Sequence, residues 1–280
     1  MSSAQDLIAR FSDMKTISHV VARVNQLAAS DTSTMQDFEE VIRLDPVLVT
    51  RLLRLVNSSY FALSNKIESI SKAVVFAGMK NLRNLVAVEA LRDFYKGNEG
   101  NGFSRENLWL HSATVAILAD MIAKRIFSLE SEDVFLVGII HDIGLIVEDQ
   151  VVAKELREVC AVFLENNCSL TECEKKIIGT DHCEVGFALA SDWKLNNAIL
   201  DAVKHHHGTS RYPLESETSI LQLAEYIACR MNYAPIAGSP VSLPPHLAEH
   251  VKKMKADYRI IIRDLPEEMA KAAELYHAAE

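Results

Sequence analysis

The sequence has little glycine, proline and aromatic side chain, which argues against fold classes rich in turns and aromatic strands. Ten glycines, seven prolines and 7% aromatic residues in 280 make an all-β sandwich or barrel improbable. No uncharged apolar run reaches the roughly 18 residues of a membrane span, and the first residues lack the pattern of a secretory leader. A net charge of −9 repels nucleic-acid phosphates and anionic lipid. We therefore expect a cytoplasmic helical protein whose partners are neither nucleic acid nor membrane.

Cysteine is also scarce, and its spacing matches no common framework. The five cysteines are odd in number and include no Cys-x-x-Cys pair. This pattern indicates neither a disulfide scaffold nor a zinc knuckle. We expect five buried free thiols.

What the sequence does contain is helical periodicity along nearly its whole length. Apolar residues recur at three- and four-residue spacing, as at Ile17, Val20, Val21 and Val24, and no alternating strand pattern interrupts them. Ser33 or Thr34 is predicted to cap one of these helices. The fold class is therefore all-α, with two packed helical bundles at residues 1–97 and 103–232, separated by a glycine-rich loop. Residues 233–280 are expected to form a second loop and a tail helix from about Pro266.

Six of the ten histidines lie between positions 111 and 207, and one of them forms a doublet with an acid. His141-Asp142 follows the apolar run at 135–140. An imidazole beside a carboxylate at the end of a buried helix must be paired or bound to a metal. A divalent ion in a helical bundle takes ligands from several helices, and the separate segments offer His111, His141, Asp142, His182, part of the triplet His205 to His207, and Glu225. Since successive helical residues differ by about 100°, the three triplet histidines cannot all face one site.

The order of these residues, centred on His-Asp-Ile-Gly at 141–144, resembles the HD superfamily of metal-dependent phosphohydrolases. The segment before it is similar to the HDOD family (HD-related output domain), and the similarity extends from about residue 14 to about residue 231. The N-terminal positions that carry it are Asp45, Pro46, Leu48, Leu52, Leu53, Asn57, Ser58, Ser69, Ile70, Ala73, Gly78 and Leu82. This resemblance implies an HDOD-specific helical bundle at 1–97 and an HD-like bundle at 103–232.

Most of the HDOD signature has a structural interpretation. Asp45-Pro46 suits a helix start, Asn57 and Ser58 can bond local backbone where a helix ends, and Gly78 suits a left-handed cap. The alternative is a groove that binds a partner.

The resemblance also implies roles for individual residues. The metal ligands would be His111, His141, Asp142, His182, His206, His207 and Glu225, with His205 at a position that the family fills with an aromatic residue. Glu225 stands where the family has aspartate. Asp142 would bridge metals or orient a water, and His207 would protonate a leaving group. Nitrogen donors favour iron, manganese, zinc or nickel over calcium, although a polar network satisfied by water is the alternative to a metal.

Two functions remain open. The first is a bacterial regulatory protein in signal transduction, which binds a signalling protein in trans or a small phosphorylated ligand. The second is an active metal-dependent phosphohydrolase acting on a nucleotide or another phosphoester, which the nearly complete ligand set favours. Against catalysis, Leu145 replaces a phosphate-binding lysine of the related HD-GYP group, and residues 208–213 lack that group's Gly-Tyr-Pro.

Overall fold

The chain is helical wherever regular structure is described. This computed structural model describes residues 2–11, 23–24, 26–27, 30, 32–44, 49–50, 52–53, 56–57, 66–76, 78, 86, 91–95, 103–165, 168–236 and 242–277. Within these ranges there is no β-strand, which confirms the all-α prediction. The helices whose bounds are described are α1 (Ala4–Arg10), α2 (Met35–Arg43), a 3-10 helix (Arg92–Tyr95), α3 (Arg105–Ile126), α4 (Glu132–Ile140), α5 (Ile143–Val151), α6 (Ala153–Glu165), α7 (Leu170–Ile177), α8 (His182–Asp192), α9 (Asn197–His205), α10 (Glu217–Arg230), α11 (Pro245–Lys253) and α12 (Lys255–His277).

The helices belong to two compact units. One comprises Met1–Asp13 with Phe94–Arg263, and the other comprises Met14–Asp93 with Asp264–Glu280. The sequence-based boundaries at residues 97 and 232 stay a prediction.

In the unit that contains residues 14–93, the polar signature residues hold local backbone in place. Thr34 caps α2 in a reciprocal capping box with Asp37, as predicted. The Asn57 side chain donates to the Leu53 and Ile67 carbonyls and accepts from the Ile67 amide, each at 2.7 Å. Gly78 has a φ of +75°, which fits the predicted left-handed cap. Asp45, Pro46, Leu48, Ser58 and Leu82 lie outside the described residues.

In the other unit, α3 is the central helix, and α4 packs very closely on it. Thirteen residues of α3 are buried, and these are mostly apolar or small side chains that cover most faces of the helix. A Cβ added at Gly138 of α4 would lie 2.4 Å from the Ala116 Cα, so only glycine allows this approach. The close packing places His111 of α3 beside His141 at the end of α4.

Two expectations from the sequence are wrong in detail. The final helix begins at Lys255 and contains Pro266 in its interior, and α11 precedes it. Proline favours the first helical turn, which is why Pro266 indicated a start. Few apolar residues of α11 and α12 are buried, namely Leu247, Tyr258, Ile261 and Leu265, although the last three follow the i, i+3, i+7 spacing of a helix.

The second correction concerns the cysteines. Cys168 and Cys173 form a disulfide pair. Cys160, Cys183 and Cys229 are free, and the first two are buried.

Candidate metal centre

The His141-Asp142 doublet forms the break between α4 and α5. His141 is the C-cap of α4, and Asp142 is the N-cap of α5 but makes no capping hydrogen bond with its side chain. The carboxylate is therefore available to the neighbouring helices. Gly144 brings the start of α5 against the start of α8, since a Cβ there would lie 2.0 Å from the His182 carbonyl oxygen.

Four histidine rings converge on the Asp142 carboxylate from four different segments. The Nε2 atoms of His111 and His141 lie 3.5 and 3.3 Å from Asp142 Oδ2. The Nε2 atoms of His182 and His206 lie 3.4 and 3.3 Å from Asp142 Oδ1. All five side chains are at most 3% exposed. We call His111, His141 and Oδ2 the first half-site, and His182, His206 and Oδ1 the second half-site.

On the side of each ring away from Asp142, Nδ1 lies within hydrogen-bond distance of an oxygen acceptor, which fixes the orientation of the ring. The acceptors are three backbone carbonyls and one carboxylate: Tyr233 at 2.6 Å from His111, Gly138 at 2.9 Å from His141, Val203 at 2.8 Å from His206, and Glu174 at 2.8 Å from His182. An Nδ1–H donor leaves the Nε2 lone pair directed at the carboxylate. This is the tautomer and orientation that metal-ligating histidines adopt.

The centre also contains buried polar atoms that lack partners. Asp142 Oδ1 and His182 Nε2 find no hydrogen-bond partner among the described residues. Such atoms are costly in a protein interior. In the first half-site, the Nε2 atoms of His111 and His141 approach to 3.1 Å. A divalent cation with mixed nitrogen and oxygen ligands would satisfy both half-sites, so the residues present fit a metal.

The electrostatics of Asp142 and His111 agree with that fit, whereas in the second half-site the charge and hydrogen bond of Cys183 outweigh burial and raise the pKa of His182 and of His206 well above its ordinary value. Burial raises the pKa of Asp142, but the neighbouring His141, His206 and His182 outweigh burial and hold the pKa well below its ordinary value. Burial lowers the pKa of His111 to about 4. An ionised carboxylate and a neutral imidazole are the protonation states that bind metals.

The remaining predicted residues lie at the edge of this cluster. His207 has a side chain that is 34% exposed, and its Nδ1 is 3.7 Å from Glu225 Oε1. Glu225 is buried and groups with His141 and His206 at ligand distances within 4.8 Å. His205 instead bonds its own helix, with Nδ1 3.0 Å from the Asp201 carbonyl. The structure thus brings together His111, His141, Asp142, His182, His206, His207 and Glu225, while His205 makes a local contact.

Sequence reasoning missed two buried glutamates behind His182. Glu174 accepts from His182 Nδ1 at 2.8 Å and from the His182 backbone N–H at 3.2 Å. Glu148 of α5 is fully buried, and neither of its oxygens has a hydrogen-bond partner within the described ranges. Burial, and then the nearby Glu174 carboxylate, raise the pKa of Glu148 well above its ordinary value. The signal available in the sequence was Glu148 itself, a glutamate within the apolar run of α5.

Cys183 is the other residue that was missed. Its sulfur lies 3.9 Å from both ring nitrogens of His206. Cys183 also groups with His182, His206 and His207, with ligand atoms within 4.8 Å of one another, so its thiol is a further candidate ligand.

A cavity of about 380 Å³ lies beside the centre. Its lining includes Asp142, His206, His207 and Glu225 of the cluster, the apolar side chains of Phe163, Leu170 and Leu243, and the hydroxyl residues Ser169, Thr171, Thr209 and Ser242. A small molecule in this cavity could reach the metal ligands.

A model of the HDOD domain family matches residues 14–209. The chain belongs to the HDOD family. An HDOD domain protein of unknown function from Geobacter sulfurreducens has a similar crystal structure, with a TM-score of 0.74 and 25% identity over 95% of this chain and 96% of that one. A protein provisionally named a phosphohydrolase from Shewanella amazonensis SB2B has a TM-score of 0.63 and 27% identity, covering 88% and 93% of the two chains.

A third structural neighbour of this HDOD protein is provisionally named a signal transduction protein, from Marinobacter aquaeolei VT8. Its TM-score is 0.72 at 18% identity, over 93% of this chain and 58% of that one, and it shows the shared fold. The HDOD protein spans 43% and 28% of the lengths of two curated relatives that it matches. None of its described helices combines the length and the apolar character needed to cross a bilayer.

Proposed function

We propose that this HDOD protein is a divalent-metal-binding regulator of bacterial signal transduction. The observation that carries the proposal is the set of four Nε2 atoms directed at one buried carboxylate, each ring being held by an acceptor on Nδ1. Iron, manganese, zinc or nickel suits this donor set. The regulatory output would be recognition of a signalling protein in trans or of a small phosphorylated ligand.

The surroundings of the centre support regulation more than efficient phosphoester hydrolysis. Leu145, which replaces the phosphate-binding lysine of the HD-GYP group, is fully buried. Among the described residues that line the cavity, there is no lysine or arginine. Phosphoryl transfer depends on positive groups that stabilise the developing charge, and without a lysine or arginine in this lining that stabilisation depends on the metal and on the buried imidazoles.

The test is metal content together with metal-dependent stability. We expect the protein purified without added metal or chelator to retain a first-row transition metal on elemental analysis. At a free metal concentration of one hundred times Kd, binding adds about 2.7 kcal/mol to the free energy of unfolding. For a unit of this size the melting temperature should rise by roughly 5 °C or more.

The double variant His141→Ala with Asp142→Ala should lose this metal-dependent shift and keep its helical circular dichroism. His205→Ala is the matched control, because His205 makes only a local contact and should leave the shift unchanged. One equivalent of metal bound with unchanged affinity by the double variant would refute the proposed centre.

A second candidate function, metal-dependent phosphohydrolysis, is favoured by the position of His207. This side chain is partly exposed at a cavity that also reaches Asp142. A bound metal would lower the pKa of a water and polarise the phosphoryl group. Asp142 would orient that water, and His207 would give a proton to the leaving oxygen.

Hydrolysis of bis(p-nitrophenyl) phosphate by the metal-loaded protein tests this candidate. If the protein is a hydrolase, His207→Ala should lower kcat much more than His205→Ala does. Equal effects of the two substitutions, or no turnover in the unsubstituted protein, would leave the regulatory function as the supported one.

A further inference from the structure

We infer that Cys183 is a metal ligand in the second half-site, and that this half-site therefore selects a thiophilic cation such as Zn²⁺. The four ligand atoms are His182 Nε2, His206 Nε2, Asp142 Oδ1 and Cys183 Sγ. This inference rests on the proposed metal binding and adds the class of metal and its coordination. The ligand set that the HD order of residues implies consists of histidines and acids, so a sulfur ligand is a feature of this chain.

The nitrogen and oxygen atoms of the second half-site already have the spacing of tetrahedral ligands. The Nε2 atoms of His182 and His206 lie 3.4 and 3.3 Å from Asp142 Oδ1. Ligands at bond lengths of about 2.0 to 2.1 Å around a tetrahedral ion are about 3.3 to 3.4 Å apart. His182 Nε2 and Asp142 Oδ1 are also buried without a hydrogen-bond partner among the described residues. Three ligands of a tetrahedral ion are therefore in place, and the fourth position decides which metal is preferred.

The Cys183 thiol lies beside this fourth position. The residue is 4% exposed, and its Sγ is within 4.8 Å of ligand atoms of His182, His206 and His207. Around a tetrahedral zinc ion with a Zn–S bond of about 2.3 Å, sulfur and nitrogen are about 3.6 Å apart, and Sγ lies 3.9 Å from His206 Nε2. Because Sγ is equally far from Nδ1 of this ring, ligation requires a change of side-chain rotamer, which moves Sγ by about 3 Å.

A sulfur ligand has two consequences for the metal. The bond between Sγ and the cation forms as the thiol proton passes to solvent, so each ion bound at this half-site releases a proton. Thiolate suits Zn²⁺ and other borderline or soft cations, whereas Mn²⁺ prefers carboxylate, carbonyl and water oxygens. Four protein ligands also close the coordination sphere, as in structural zinc sites. A closed half-site agrees with regulation better than with hydrolysis.

Titration with Co²⁺ tests the inference, because cobalt replaces zinc in tetrahedral sites and reports sulfur ligands by its absorption. The unsubstituted protein should develop an intense near-ultraviolet band from charge transfer between thiolate and Co²⁺. Cys183→Ser should lose this band and bind Zn²⁺ about tenfold or more weakly, while Mn²⁺ binding, for which the nitrogen and oxygen ligands suffice, should change little. Cys229→Ser is the matched control, since Cys229 lines the cavity beside the centre but belongs to none of the ligand groups among the described residues.

A Co²⁺-loaded protein without the charge-transfer band, or a band that persists in Cys183→Ser, would overturn the inference while metal binding stands. Equal weakening of Zn²⁺ and Mn²⁺ binding in Cys183→Ser would also overturn it, because the thiol would then have only a packing role. Absence of Co²⁺, Zn²⁺ and Mn²⁺ binding in the unsubstituted protein would instead refute the proposed function. If Cys183→Ser does not fold, Cys183→Ala replaces it, and the spectrum of the unsubstituted protein still decides whether sulfur binds the metal.

Discussion

In the metal-free protein, replacing Glu148 by glutamine should change the free energy of unfolding in a pH-dependent way. The difference between the variant and the unsubstituted chain should favour the variant more at neutral pH than at acidic pH. Burial beside Glu174 raises the pKa of Glu148 above its ordinary value of 4.5. Below pH 4 the carboxyl is protonated in both folded and unfolded chains, so ionisation contributes nothing. As the pH rises, the unfolded chain ionises first, and the folded state loses stability until the pH passes the raised folded pKa. Glutamine does not ionise, so the variant escapes this loss.

The slope is large enough to measure. Each pH unit between the unfolded and folded pKa values changes the free energy of unfolding by at most about 1.4 kcal/mol. In a unit of this size, that corresponds to roughly 3 to 6 °C in Tm per pH unit. The difference in Tm between variant and unsubstituted protein should therefore increase as the pH rises above about 4.5, and it should level off only where the pH passes the raised folded pKa. Any fixed cost of burying the amide shifts the difference by a constant and leaves the slope unchanged.

Thermal unfolding followed by circular dichroism, in a chelator and at several pH values, provides the assay. Glu158→Gln is the control, because Glu158 is on the exposed surface of α6. A Tm difference that stays flat or falls between pH 5 and pH 7 would show that Glu148 is ionised in the folded protein. In that case our account of the buried glutamate pair is wrong.

Features that depend on distinctive residue types at short spacing could be predicted from the sequence. The His-Asp doublet after an apolar run marked a buried polar site, and Ser33-Thr34 marked a helix start. Helix geometry indicated that the three triplet histidines cannot all face one site, because residues two positions apart point in nearly opposite directions, but it did not indicate which of them is excluded. These predictions needed only local rules and a count of chemically distinctive side chains.

Contacts between distant segments could not be predicted in the same way. The acceptor for His111 is the backbone carbonyl of Tyr233, 122 positions away, and any residue type can offer a carbonyl. Glu174 resembles the exposed acids of α7 in the sequence, and only packing against α8 turns it towards His182. The course of the chain beyond residue 244 was missed because few of its apolar residues are buried.

Three further predictions concern particular contacts. Glu174→Gln should weaken Mn²⁺ binding about 10- to 100-fold in calorimetry, because the amide is a poorer acceptor for His182 Nδ1; an unchanged Kd would show that Glu174 has only a packing role. Asn57→Ala should lower the free energy of unfolding by about 1 to 3 kcal/mol in urea titrations, since it removes three hydrogen bonds to backbone, and a smaller loss would mean that water replaces them. Gly144→Ala should abolish Mn²⁺ binding and keep the helical signal, because a Cβ would lie 2.0 Å from the His182 carbonyl oxygen and 2.8 Å from its Cα. Backbone atoms cannot move aside as a side chain can, so α5 must shift away from α8 and carry Asp142 with it. Gly186→Ala is the matched control, since its Cβ would meet only the movable Val203 Cγ1 closely, at 3.1 Å. If both alanine variants bind Mn²⁺ equally well, close packing at Gly144 does not position the metal ligands.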